Sequence, residues 1–166
     1  MLSQPKLEQR PAQPYVAIRT AVSIPFGKYL PPLWTKVSEW LTRQGVTDFG
    51  PAIIRYLTTD MSKKLDIEVG FLVNQPLTGD SQVIADALPE GRYATLLYTG
   101  PYRGNGVFKA NVALVGWAQA NKIAWNTSDK NGVEWWNGRA EIYLTDPMKE
   151  KNTSKYQTEL AFMVAD

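Results

Sequence analysis

Neither cysteine nor histidine occurs among the 166 residues. Disulfides, thiol nucleophiles and thiolate or imidazole metal sites are therefore excluded, and a Ser-His-Asp triad is impossible. No metal site and no cofactor is expected. Charge of one sign is also missing: 18 Lys and Arg against 16 Asp and Glu leave a net +2. These charges are scattered and no helix carries a basic stripe, so direct nucleic-acid binding has no electrostatic footprint. No apolar run approaches the ~18 residues of a membrane span. The start, MLSQPKLEQRPAQP, is polar, broken by prolines and without an apolar signal core, which makes a cytoplasmic location the expectation. Any catalysis would have to run on carboxylates, tyrosines, hydroxyls, lysines or arginines.

What is present suits an ordinary globular protein, with 44% apolar and 20% charged residues. Residues 1–14 read as a flexible lead-in and 15–166 as one domain. Tyr15 to Ile24 is rich in strand formers. Leu30 to Gln44 has apolar residues at 30, 33, 34, 37, 40 and 41, the stripe of an amphipathic helix. Pro31-Pro32 suits its first turn and Gly45 the position past its end. Ala52 to Thr59 and Leu65 to Val73 follow as strands. The same order then recurs: a strand over Gly91 to Thr99, a helix over Val107 to Asn121 with Asn105 as a cap candidate, and strands over Trp135 to Thr145 and Tyr156 to Val164.

The recurrence extends to residues. Trp40 lies over Trp117 within the helices, Arg55-Tyr56-Leu57-Thr58 over Ile142-Tyr143-Leu144-Thr145, and Asp66 to Val73 over Gln157 to Val164. Three matches in one order indicate a duplicated β-α-β-β unit, about 15–76 and 83–166. Two such units predict an α+β fold: an antiparallel sheet with two helices on one face, pseudo-twofold symmetry, and a groove between the helices that suits a ligand.

Glu141 is the odd residue in this scheme. Strand periodicity sets it on one face with Tyr143, while Ala140, Ile142 and Leu144 take the other. Tyr143 lies over Tyr56, but Glu141 lies over Ile54, so the tyrosine is repeated and the acid is not. Glu159 lies over Glu68 and reads as a shared structural feature. Two readings of Glu141 are open. It is either a buried carboxylate that attracts a ligand cation among tyrosine faces, or a solvated strand acid, or one paired with Arg139 or Arg55. Of the adjacent Trp135 and Trp136, one must face the core and the other the opposite side. Trp40 reads as helix-on-sheet core.

Several segments resemble the GyrI-like small-molecule-binding domains, which include effector-binding domains of multidrug-responsive regulators and have a SOUL-type fold. The resemblance rests on Leu88 to Ala94, Tyr98-Thr99-Gly100-Pro101-Tyr102, Gly116-Trp117-Ala118, Glu141 to Pro147 and Tyr156 to Leu160. It implies the duplicated β-α-β-β fold and a free-standing member without a helix-turn-helix module. It also implies that Glu141 lies at the base of an aromatic pocket and pairs with hydrophobic ligands, cationic ones among them. Tyr143, Tyr156 and Trp117 would line that pocket, with Tyr56 added as the repeat partner of Tyr143. The implied alternatives are a hydrolase of strained electrophilic molecules, with Glu141 as general base (Glu159 a second candidate), and a protein-inhibitor or effector module.

Overall fold

A computed structural model describes residues 1–166. Ten strands and two helices follow the order β1 (Lys6–Arg10), β2 (Gln13–Val22), α1 (Leu30–Arg43), β3 (Ala52–Tyr56), β4 (Leu65–Leu72), β5 (Ile84–Leu88), β6 (Gly91–Thr99), α2 (Gly106–Ala120), β7 (Thr127–Lys130), β8 (Val133–Trp136), β9 (Arg139–Tyr143) and β10 (Gln157–Met163). Eight strands form one antiparallel sheet in the order β1-β6-β10-β9-β3-β4-β2-β5, and β7-β8 is a separate hairpin.

Connection lengths force this sheet to curl. Strands β1 and β2 are joined by two residues, Pro11 and Ala12, yet stand six places apart. In a flat sheet that separation is roughly 29 Å, whereas such a link spans only about 10 Å. The ends of the sheet must approach each other, and the Pro89-Glu90 link between β5 and β6 imposes the same closure. The curl gives a concave face and a convex face, with both helices on the convex one. Neither helix is long and apolar enough to cross a membrane.

The expected duplication is present, and each copy has a leading strand, β1 or β5, that the periodicity does not show. Strand β1 pairs with β6 of the second half through Lys6–Thr95, and β5 pairs with β2 of the first half through Ile84–Ala17. Each half thus lends its leading strand to the other. Residues 1–14 are therefore not a loose lead-in: Leu2 bridges to Tyr98, and the Met1 amino group donates to Thr99 O at 2.8 Å. The physical reason is non-local. KLEQR is polar because it is an edge strand with a solvated face, and its partner lies far along the chain.

Helix α1 starts with Pro31-Pro32 in its first turn and ends before Gly45, whose φ of +77° needs glycine. It packs Val37, Trp40 and Leu41 on Val16, Val73 and Val83, so Trp40 is core, with its indole donating to Asp80. Helix α2 packs Ala110 and Leu114 on Ala94, Leu96, Leu160 and Phe162. Asn105 precedes it but makes no side-chain cap. The expected strand 135–145 is broken at Asn137-Gly138 into β8 and β9. Trp136 faces the core, and Trp135 lies outside it between the cations of Arg19 and Lys130.

Candidate functional site

The central sheet contact is β3 against β9, where the two halves meet. Its register pairs Ile54 directly with Glu141. These two positions are also repeat mates, so the pseudo-twofold axis passes between them. A duplicated acid here would set two buried carboxylates face to face, about 5 Å apart at Cβ. Like charges at that distance destabilise each other, which accounts for one acid and one isoleucine on the axis.

Alternation along β9 puts Arg139, Glu141 and Tyr143 on the convex face, under the helices. Ala140 and Ile142 join the concave core with Tyr15, Ile53 and Tyr93. Glu141 is only 5% exposed. The Tyr143 hydroxyl donates to its Oε1 at 2.6 Å, and Asn111 Nδ2 of α2 donates to its Oε2 at 3.1 Å. Burial pushes the Glu141 carboxyl above its ordinary range, opposed by bonds from Tyr143, Asn111 and Tyr56 and by the Arg139 charge. Burial likewise pushes the Tyr143 and Tyr56 hydroxyls up, reinforced by the neighbouring Glu141 charge, so both stay protonated donors.

Rings pack around Tyr143, the donor to this carboxylate. Trp34 of α1 meets Tyr143 edge-on at 5.6 Å, and Tyr102, from the loop before α2, meets it from another side at 5.2 Å. Tyr102 also stacks on Tyr156 at 4.6 Å. Its hydroxyl is anchored at Thr145, donating to the carbonyl at 2.7 Å and accepting from the amide at 3.0 Å. The Trp34 indole donates to the carbonyls of Gly70 and Ile53 at 3.1 and 3.3 Å. Both helices therefore contribute: α1 a ring, α2 an amide.

Arg139 completes the set. Its guanidinium carbon lies 4.1 Å from the Phe162 ring centroid, 4.5 Å from Trp136 and 5.9 Å from Tyr56. Its Nη2 donates to Asn111 Oδ1 at 3.2 Å, so Asn111 stands between the cation and Glu141. Burial pulls the Arg139 guanidinium down to about 10, with Glu141 opposing, and it remains charged at neutral pH.

Of the residues expected from sequence, Glu141, Tyr143 and Tyr56 come together. Tyr156 joins at one remove, through Tyr102. Trp117 does not join: it is half-buried against the α2 core cluster and makes no hydrogen bond or ring contact with the others. Arg55, weighed as a partner for Glu141, is on the concave face beside Tyr15. Glu159 is also concave and pairs with Arg10 at 2.8 Å. Trp34, Tyr102, Asn111 and Arg139 were not anticipated as a set. A cavity of about 260 Å³ opens on the concave side, lined by Arg10, Leu72, Tyr93, Ile142, Leu144 and Glu159 among others, and none of Glu141's partners line it.

A family model for the GyrI-like small molecule binding domain matches residues 3–165. The chain belongs to that family. No curated protein matches this GyrI-like chain in sequence. Among solved structures it is similar to the EcmrR C-terminal domain, with 18% identity, 98% of each chain covered and a TM-score of 0.69. It is also similar to SAV2435 bound to tetraphenylphosphonium, at 12% identity, 98% of this chain and 94% of that one, TM-score 0.61. A third neighbour is a hydrolase from Listeria innocua, at 15% identity, 98% and 92% coverage, TM-score 0.58. At these identities the likeness establishes the fold, and function has to be argued from the site.

Proposed function

We propose that this GyrI-like chain binds hydrophobic small molecules in the seam between α1 and α2, with Glu141 at its base. The observation that carries the reading is a single buried carboxylate on the axis between the repeats, held by Tyr143 and Asn111 beside Tyr56, with the rings of Trp34 and Tyr102 packed on Tyr143. Such a set combines apolar surface with few, directed polar groups, the usual constitution of a ligand site. The family assignment and the ligand-bound neighbour support it. Trp34 and Tyr102 pack edge-on against Tyr143, so a ligand that reaches the carboxylate displaces one of them in this reading. Trp34, on a helix and half-exposed, is the simpler one to move.

Glu141 offers a cationic ligand a counter-charge, and the rings offer cation–π attraction of about 0.5–2 kcal/mol each. Isothermal titration with tetraphenylphosphonium and with neutral triphenylphosphine oxide tests the reading. Glu141→Gln is expected to weaken the cation on the order of tenfold and the neutral compound much less. Equal losses would remove Glu141 from the site, and binding of neither compound to the wild type would count against the seam as a hydrophobic site.

A second reading is favoured by the raised carboxyl. Glu141 could act as general base on water, with a tyrosine hydroxyl polarising a strained electrophile. Hydrolysis of an epoxide probe that vanishes in Glu141→Gln while binding persists would support it. Stoichiometric binding without turnover would exclude it for that probe class.

A further inference from the structure

Arg139 is poorly served as a hydrogen-bonding residue. A guanidinium has five N–H donors, yet this one has a single side-chain acceptor, Asn111, and its buried Nε has no partner. It forms no direct ion pair with Glu141. Its positive charge is instead surrounded by three rings, Phe162, Trp136 and Tyr56. Such an aromatic cage is how proteins hold cationic ligands. The cage adjoins Glu141, with Asn111 bridging the two.

We propose that the cage is a cation subsite filled by the chain's own Arg139, and that Arg139 thereby selects ligands by charge. With Arg139 in place the buried pocket carries one negative and one positive group. A neutral hydrophobic ligand meets a balanced site. A cationic ligand meets a like charge beside the carboxylate it seeks, and reaches full attraction only by displacing Arg139 from its rings. The ligand class of the resting site is therefore neutral and hydrophobic, with cations admitted in competition with Arg139. This rests on the seam being the binding site.

Two arms test it and separate its failure from failure of that reading. In the first, wild type, Arg139→Met and Arg139→Lys are titrated with tetraphenylphosphonium and triphenylphosphine oxide. Arg139→Met is expected to gain about tenfold in affinity for the cation, with the neutral compound moving by less than about threefold. Arg139→Lys keeps the charge and is expected to stay within about threefold of wild type for both. Equal gains for both compounds, or a lysine variant that behaves like the methionine one, would overturn the charge-selection role. The second arm needs no seam ligand. Arg139→Ala is heated with millimolar ethylguanidinium or its neutral analogue ethylurea. A ligand that binds only the folded state raises the melting temperature, so ethylguanidinium is expected to raise that of the variant by several degrees, with no rise in wild type and none from ethylurea. Absence of that rise would overturn the cage as a cation subsite, whether or not the seam binds phosphonium compounds. A rise in the second arm with no binding in the first would leave the cation subsite standing and overturn the seam as a binding site, and with it the selecting role.

Discussion

The sheet buries an acid, a tyrosine and an arginine on each of its faces, and the two sets are wired differently. On the concave face the Tyr15 hydroxyl donates to Glu68, and Arg55 donates to Tyr15 Oη at 2.6 Å and to Asn137 O at 2.7 Å. Asp86 lies 3.6 Å from Arg55. These side chains come from strands, with the Tyr15 hydroxyl relaying between Glu68 and Arg55 and with Asp86 as a direct counter-charge to the arginine. On the convex face the acid and the arginine are held apart by Asn111, and the cation rests on rings. Two helices and a loop supply the remaining contacts. The concave arginine also leaves its Nε without a partner, but it has a carboxylate within ion-pair distance and two hydrogen bonds, as suits a structural joint. The convex set leaves charge balanced at a distance, under elements that can shift, as suits a site that admits a third party.

The comparison predicts its own largest break. Glu68→Ala removes the acceptor from Tyr15 and an opposite charge from Arg55, both inside the curl. Breaking a buried charged network by deleting one partner costs about 3–5 kcal/mol. Urea unfolding should show that loss, with ligand binding by the surviving folded fraction unchanged. A loss under ~1 kcal/mol would mean the concave set is not the tighter one.

Next in size is duplication of the convex acid. Ile54→Glu puts a second carboxylate opposite Glu141 across the axis, in a position that is 1% exposed. An unpaired buried charge should cost about 3 kcal/mol at pH 7, less at pH 5 as one of the pair takes up a proton. Ile54→Gln, nearly the same shape without the charge, separates repulsion from mispacking. Equal costs at both pH values for the glutamate variant would contradict the axial explanation for the missing repeat.

Glu141→Gln should be milder, about 1 kcal/mol at pH 7, because Arg139 leans on rings more than on the acid. Its pH dependence is more diagnostic. Burial holds the folded carboxyl above its ordinary range, so the native state holds that proton more tightly than the unfolded chain. The stability Glu141 contributes is full below the unfolded value and is lost as pH rises through the folded one. Wild-type stability minus that of Glu141→Gln should therefore fall as pH rises from the ordinary carboxylate range toward neutrality. A difference that rises with pH would show the carboxylate to be better solvated or paired than its surroundings indicate.

These contrasts also show what sequence could reveal. The duplication was legible because Tyr56 and Tyr143, Glu68 and Glu159, and Trp40 and Trp117 repeat in order on matching elements. The odd acid was legible for the same reason, as a break in the repeat. Arg139 was legible only as a possible ion-pair partner for Glu141. Its role was hidden because a cage of Phe162, Trp136 and Tyr56 joins three strands far apart in sequence. Trp34 lay on the apolar stripe of α1, but nothing local distinguishes it from the core tryptophan Trp40. Strands β1 and β5 escaped because each pairs with the other half, and a short polar edge strand has no periodic signal of its own.

The smallest expected effect tests the boundary of the convex set. Family resemblance places Trp117 in the pocket. In the fold it packs against the cluster that holds Ala110 and Leu114, while Asn111 is the α2 residue that reaches Glu141. Trp34→Leu and Trp117→Leu each delete one half-buried indole from a helix over the same sheet. Trp34→Leu removes a ring packed on Tyr143 and two hydrogen bonds from the indole N–H, so affinity for triphenylphosphine oxide should change by about fivefold or more. Trp117→Leu should leave it within about twofold, since the ring packs on the α2 core cluster and touches none of Glu141's partners. Fluorescence quenching gives the same comparison by a second readout: in Trp117→Leu the ligand-dependent signal should persist, and in Trp34→Leu most of it should be gone. A reversed pair of results would move the seam along α2 toward its C-terminal end and make Glu141 its border instead of its base.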